Sequence, residues 1–175
     1  MSVSLIFLSG PTTKTDELLE IIDVLNPTNE SGKITLICRM GHEKVSINLP
    51  SIINKVHKEG KNVVWTCDPM HGNTVKSNTG YKTRPLKSIV SEIHQFFQIH
   101  RSEGTYPGGV HLEMTGQDVT ECMGGLQEIT DEDLKNRYHT YCDPRLNASQ
   151  SLELAFLLSD FLKDEKILSK QSSNL

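Results

Sequence analysis

The sequence predicts an α/β fold built on a parallel sheet. Three observations carry that expectation. Short apolar runs alternate with longer stretches of helical periodicity, so that βα units follow one another. The apolar runs are nearly continuous rather than alternating, as in strands buried on both faces. Each run is followed at once by polar residues, and in such folds the C-terminal ends of the strands form the ligand-binding end of the sheet.

The first predicted strand spans residues 3–8 ("VSLIFL") and stops at Gly10-Pro11. Residues 16–25 carry apolar side chains at 18, 19, 21, 22 and 25, a helical stripe ended by Asn26-Pro27. A second strand covers 34–38 ("ITLIC"). Residues 45–57 are helical in pattern; Pro50 predicts a kink or restart, and Gly60 a terminating residue. The third strand is 62–67 ("NVVWTC"). A long stripe over 86–100 gives the third helix, closed by Gly104, and 109–116 ("GVHLEMTG") gives the fourth strand. Residues 130–141 are expected as a short helix, with Thr130 as N-cap and Asp133 at the capping-box position. The last helix is expected over 149–163. A full (β/α)8 barrel needs eight strands and about 250 residues; this chain of 175 supplies about half.

Composition excludes several classes. The chain is 36% hydrophobic and 23% charged, as in ordinary globular proteins. A net charge of −4 gives no basic footprint for nucleic acid. No apolar run approaches the ~18 residues of a membrane span. "MSVSLIFLSG" lacks the basic region of a signal peptide. Cys38, Cys67, Cys122 and Cys142 are scattered, without a CxxC pair, which suits packed, reduced thiols and a cytoplasmic protein.

The strand ends concentrate the chemistry. His71, in "DPMHGN", reads as a metal ligand or general acid–base, or as a loop histidine bonded to backbone. Glu113 falls inside a predicted strand, where a carboxylate is costly unless paired, protonated or metal-bound. Asp143, in "CDPRLN", is a ligand candidate or simply a turn former before proline. Together the three are an N/O donor set suited to Mn2+, Co2+, Fe2+ or Zn2+. Arg39 ends the second strand and could fork onto a carboxylate or phosphate, or form a surface ion pair. Lys82 and Arg84 make a basic loop that could meet a phosphate, with a solvated loop as the simpler reading. Asp68 could orient a neighbouring ligand or cap its own turn. Cys67 and Cys142, beside these residues, read as packing. His57, His94, His100 and His139 fall at helical positions and read as structural or exposed.

The blocks "ITLICRMGHEKV", "WTCDPMHGNT", "GYKTR", "FFQIHRSEGTYPGGVHLEMTG", "VTECMGG" and "CDPRLNASQSLELAFLL", in this order, resemble the type II (plant-like) 3-deoxy-D-arabino-heptulosonate 7-phosphate (DAHP) synthases. The resemblance runs from about residue 10 to 163. It implies the C-terminal half, (βα)5–8, of a TIM (β/α)8 barrel with parallel strands. The partial catalytic domain would occupy 1–165 and a polar tail 166–175. It implies condensation of phosphoenolpyruvate with erythrose 4-phosphate, the first step of the shikimate pathway to aromatic amino acids. His71, Glu113 and Asp143 would be three of four ligands of a divalent metal, Mn2+ or Co2+, and Arg39 a phosphoenolpyruvate ligand. The family's fourth ligand, a Cys, belongs to a segment preceding this chain, and Leu8 stands where the family has a phosphoenolpyruvate-binding Lys. The expectation is therefore a fragment inactive by itself, forming a homo-oligomer or joining an N-terminal half; the alternative is an inactive half-barrel that assembles with or regulates a full-length synthase. A plant-type parent would leave a plastid address open.

Overall fold

The computed structural model describes residues 5–172, with side chains from 7 to 163. Its chain forms two compact units: residues up to Asn73 with Ser91–Leu112, and Thr74–Val90 with the residues from Glu113 onward.

The first unit holds a four-stranded sheet, β1 (Leu5–Ser9), β2 (Ile34–Cys38), β3 (Val64–Cys67) and β6 (Pro107–Val110), all parallel and adjacent in chain order. The alternation of α1 (Thr15–Leu25), α2 (Val45–Lys58) and α3 (Leu86–Ser102) with these strands confirms the α/β class. Strand order never reverses, so the sheet has no switch point of the doubly wound kind. Leu36 pairs with Trp65 and Cys38 with Cys67, which sets these four on one face. All four are buried, as are Leu18 and Ile22 of α1, Leu49, Ile53 and Val56 of α2, and Ile93 and Phe96 of α3. The opposite face is less evenly covered: Ile37 is buried, Thr35, Val64 and Thr66 are half-buried, and Leu8 is 51% exposed.

Several local expectations shift. Val3 lies outside the described residues, and β1 ends one residue later than expected. The second helix is continuous through Pro50, without a restart there. The fourth strand runs over Pro107–Val110 instead of 109–116. Its ladder with β3 shifts register between Trp65 and Thr66, leaving Gly108 as the extra residue. A Cβ on Gly108 would stand 2.7 Å from the Trp65 carbonyl oxygen, so only glycine fits. After His111, whose N–H donates to the Cys67 carbonyl, the backbone leaves β3.

The second unit is mostly irregular. It holds a short antiparallel pair, β4 (Val75–Lys76) with β5 (Lys82–Thr83), isolated bridges Pro85–Met123, Met114–Leu146 and Gly124–Ile129, and α4 (Ala148–Ser172). Here Glu113 and Thr115 exchange backbone bonds with Leu146. Buried polar groups replace a layered core. Glu121, fully buried, binds the Arg145 guanidinium at 2.6 and 2.9 Å and accepts from the Arg145 and His139 N–H groups. Asn147 and Gln150 donate to the carbonyls of Val119, Cys122 and Gly124. The helix expected at 130–141 is one 3-10 turn, Leu134–Asn136. Thr130 and Asp133 do bond as in a cap, but the following bonds close three residues apart, and the Arg137 N–H donates to the Thr120 hydroxyl while its carbonyl accepts from the Thr120 N–H. Only Leu134 of that turn is buried, too little apolar surface to draw a helix onto a core. The last helix extends past 163 to Ser172. Among the described residues no helix is long and apolar enough to cross a membrane.

His100, near the end of α3, is fully buried against Trp65 and Phe96, with Nδ1 paired to the Thr105 hydroxyl at 2.7 Å. Burial pushes its pKa down to about 4. The folded state therefore binds fewer protons than the unfolded one between pH 6.5 and 4, and the stability held above pH 6.5 is lost as pH falls through that window. His100→Phe removes this loss. Relative to wild type, the variant's unfolding free energy should improve by on the order of 3 kcal/mol between pH 7 and pH 4. Urea unfolding at both values measures it, and an equal difference at the two would contradict the burial of a neutral imidazole.

Candidate metal and substrate site

Register brings polar residues into one row at the C-terminal edge of the first unit's sheet. Ser9, Cys38, Cys67 and Val110 are paired across the strands. The next residues continue the ladder: the Arg39 N–H donates to Ser9, Asp68 to Cys38 and His111 to Cys67. Arg39 is half-buried and Asp68 almost fully buried.

Asp68 organises the loop that follows it. One carboxylate oxygen accepts from the Met70 and His71 N–H groups at 3.0 and 3.1 Å. The other meets His71 Nδ1 at 2.6 Å. Both roles foreseen for Asp68, turn cap and orienter of a neighbour, are thus fulfilled at once. With Nδ1 held by Asp68, the imidazole would meet a cation through Nε2, the usual carboxylate–histidine–metal arrangement.

The loops after β2 and β3 are pressed together. Gly41 has φ +85°, and a Cβ on Gly72 would lie 2.3 Å from the Gly41 nitrogen. Glu92 of α3 fastens the contact from beneath. Its Oε1 accepts from the Met40 and Gly41 N–H groups at 3.0 and 2.9 Å, and its Oε2 accepts from Asn73 Nδ2 at 2.6 Å. Asn73 is fixed in turn by donating to the Pro69 carbonyl and accepting from the His42 N–H. Burial pushes the Glu92 carboxyl up to about 7, against three hydrogen bonds that favour its anion.

In the second unit Glu113 and Asp143 share one counter-ion. Arg84 is fully buried, not solvated as its polar surroundings suggest. Its Nη1 donates to Glu113 and to the Pro144 carbonyl, its Nε to the Thr74 hydroxyl, and its Nη2 lies 3.5 Å from Asp143. Lys82, about half exposed, also binds Asp143. The Lys82 hydrogen bond first, then the Lys82 and Arg84 charges, hold the Asp143 carboxyl below its usual range. The basic loop therefore serves the two carboxylates. Cys142 is exposed, and its thiol donates to Asp143 at 3.6 Å; Cys67 is buried packing, as expected.

His71 gives the first unit an imidazole nitrogen, and Glu113 and Asp143 give the second two carboxylates, donor types suited to a divalent metal ion. Sequence reading missed Glu92, Asn73 and the burial of Arg84. A signal for Glu92 existed: it stands three residues after Ile89 and four before Phe96, on the buried stripe of its helix.

Removing Arg84 leaves two carboxylates without their buried partner. Arg84→Met should destabilise the protein by roughly 3 kcal/mol, since breaking a buried pair strands the remaining charge. Chemical denaturation checks this; a neutral effect would mean that the guanidinium does not hold the pair.

Residues 7–159 match the class-II DAHP synthetase family. Over 155 residues, 89% of this chain, it is 56% identical to the phospho-2-dehydro-3-deoxyheptonate aldolase AroG of Mycolicibacterium smegmatis. It is 49% identical over 156 residues to the phospho-2-dehydro-3-deoxyheptonate aldolase of Streptomyces coelicolor. The matches cover 33% and 35% of those proteins, so the chain spans about a third of their length. A match of this extent, running through β2, β3, β6 and the segments that carry Arg39, His71, Glu113 and Asp143, makes the chain a member of the class-II DAHP synthetase family.

Proposed function

We propose that this chain supplies part of the active site of a DAHP synthase, condensing phosphoenolpyruvate with erythrose 4-phosphate and water to give DAHP and phosphate. The observation that carries the reading is the buried Asp68 carboxylate fixed on His71 Nδ1 at the C-terminal edge of a parallel sheet, within a chain of this family. His71, Glu113 and Asp143 would be ligands of one divalent cation, Mn2+ or Co2+. The donor set suits such an ion, and the family's Cys would complete it from another segment. When bound, the ion would polarise the aldehyde of erythrose 4-phosphate. Arg39 would fork onto the carboxylate or phosphate of phosphoenolpyruvate. The methylene carbon of phosphoenolpyruvate would bond to the aldehyde carbon, whose oxygen takes up a proton; water would add at the neighbouring carbon and give up its protons as the bond from that carbon to the phosphate oxygen breaks, leaving the ketone of DAHP and free phosphate.

The strand order supports an arc of a (β/α)8 barrel. Parallel strands adjacent in chain order, joined by helical crossovers of the usual single hand, would put all helices on one face and leave the other free to face a barrel interior. Leu8 and the half-buried Thr35, Val64 and Thr66 lie on the latter face. The completing partner would be an N-terminal half or a second copy. The four cysteines are free, which suits a reducing cytoplasmic setting.

Calorimetric titration with Mn2+ should show one ion bound, with affinity weakened more than about tenfold by His71→Ala, Glu113→Gln or Asp143→Asn. The chain by itself should consume no phosphoenolpyruvate, because single preorganised electrostatic contacts are each worth about 3–4 kcal/mol in such reactions and several are missing. Adding the N-terminal half of a relative should restore turnover. Unchanged Mn2+ affinity in all three variants would sink the ligand assignment. Turnover by the chain alone, requiring erythrose 4-phosphate and lost in His71→Ala, would sink the half-site reading.

A further inference from the structure

We infer that Glu92 is a positioning residue that locks the Arg39 loop and the His71 loop to each other, so that a substrate-facing cation and a metal-facing imidazole keep one fixed spacing. The inference rests on the reading of Arg39 and His71 given above.

The geometry is that of a three-point clamp. Glu92 is wholly buried and lies in the middle of α3, the stiffest kind of support a side chain can have. Its two oxygens are divided between the loops. Oε1 takes the main-chain N–H groups of Met40 and Gly41, directly after Arg39, while Oε2 takes the side chain of Asn73, two residues after His71. The loops also touch where the Gly41 and Gly72 backbones meet, a contact that holds distance but not direction. The Asn73 amide transmits the clamp further. It anchors the Pro69 carbonyl inside the "DPMHGN" turn and, through its oxygen, the His42 N–H on the facing loop. Gln95, one turn further along α3, donates to the His42 carbonyl and braces the same loop.

The groups that bond Glu92, the Met40 and Gly41 N–H groups and the Asn73 amide, are neutral. A buried carboxylate without a counter-charge is costly. A neutral acceptor could bond the main-chain N–H groups of one loop, but a carboxylate offers acceptor oxygens to both loops simultaneously. Glutamine cannot do so. Its amide would turn an NH2 either toward the Asn73 NH2 or toward the Met40 and Gly41 N–H groups, leaving a donor facing a donor.

Hydrogen exchange on the whole chain tests the clamp without any ligand. In Glu92→Gln, the amides of residues 39–42 and of 70–73 should both exchange at least about tenfold faster than in wild type. Mn2+ affinity, measured by titration, should fall by roughly tenfold, the lower end for loss of support behind a ligand. Phe96→Leu, a cavity variant on the same helix, controls for simple loss of stability and should change neither loop selectively nor the Mn2+ affinity. If Glu92→Gln does not fold, Asn73→Ser removes the Oε2 bond together with the Asn73 bonds to the Pro69 carbonyl and the His42 N–H, and should loosen 70–73 and residue 42 while 39–41, still held by Oε1, stays protected. Wild-type exchange in both loops of Glu92→Gln, or an equal effect of Phe96→Leu, overturns the inference. His71→Ala runs alongside: an unchanged Mn2+ affinity there defeats the ligand reading, while exchange still decides the clamp.

Discussion

Three N–H groups converge on the buried carboxylate of Glu92, and the candidate site of the first unit depends on that convergence. Parallel strands deliver Arg39 and Asp68 to neighbouring positions through register alone. Register ends with the strands, however, and His71 lies beyond it, in a turn that must be held by other means. Asp68 fixes that turn internally. Glu92 and the Gly41–Gly72 contact fix it against the loop of β2. A catalytic geometry needs support of this kind, since a ligand displaced by about 1 Å can cost about a hundredfold in rate.

The second unit solves a related problem with charge. Glu113 and Asp143 would repel one another without Arg84, whose burial makes its charge a fixed part of the site. Buried Glu121, paired with half-buried Arg145, fastens the segment after Asp143. Both pairs lie in a region with little regular structure, where hydrogen bonds to charged groups replace the ladder bonds that order a sheet.

What the sequence made legible follows from where the determining contacts lie. β2 and β3 are readable because five or so consecutive apolar residues bounded by glycine or polar residues state a buried strand locally. The helices over α1, α2 and α3 are readable from their stripes, as the buried residues of α1 and α2 confirm. The end of β6 was not, because the position at which the backbone leaves β3 is set by Gly108 packed on Trp65 and by Leu146, far along the chain. The 130–141 segment carries a sound cap signal but lacks the apolar stripe that would make a helix of it. Arg84 was misjudged because "GYKTR" looks solvated, while its partners Glu113 and Pro144 lie 29 and 60 residues downstream. Of the site, the strand-end residue types were legible; the residues that hold them, Glu92 and Arg84, were not.

The account's central claim is that His71, Glu113 and Asp143 serve a single divalent cation. Anomalous diffraction at the manganese edge, from crystals of the chain grown with Mn2+, tests it most directly. The account predicts one anomalous peak at ~2.0–2.2 Å from His71 Nε2, on the side of the ring away from Asp68, and from one oxygen of each of Glu113 and Asp143. A peak on other residues, or ligation by only one of the three, would contradict it.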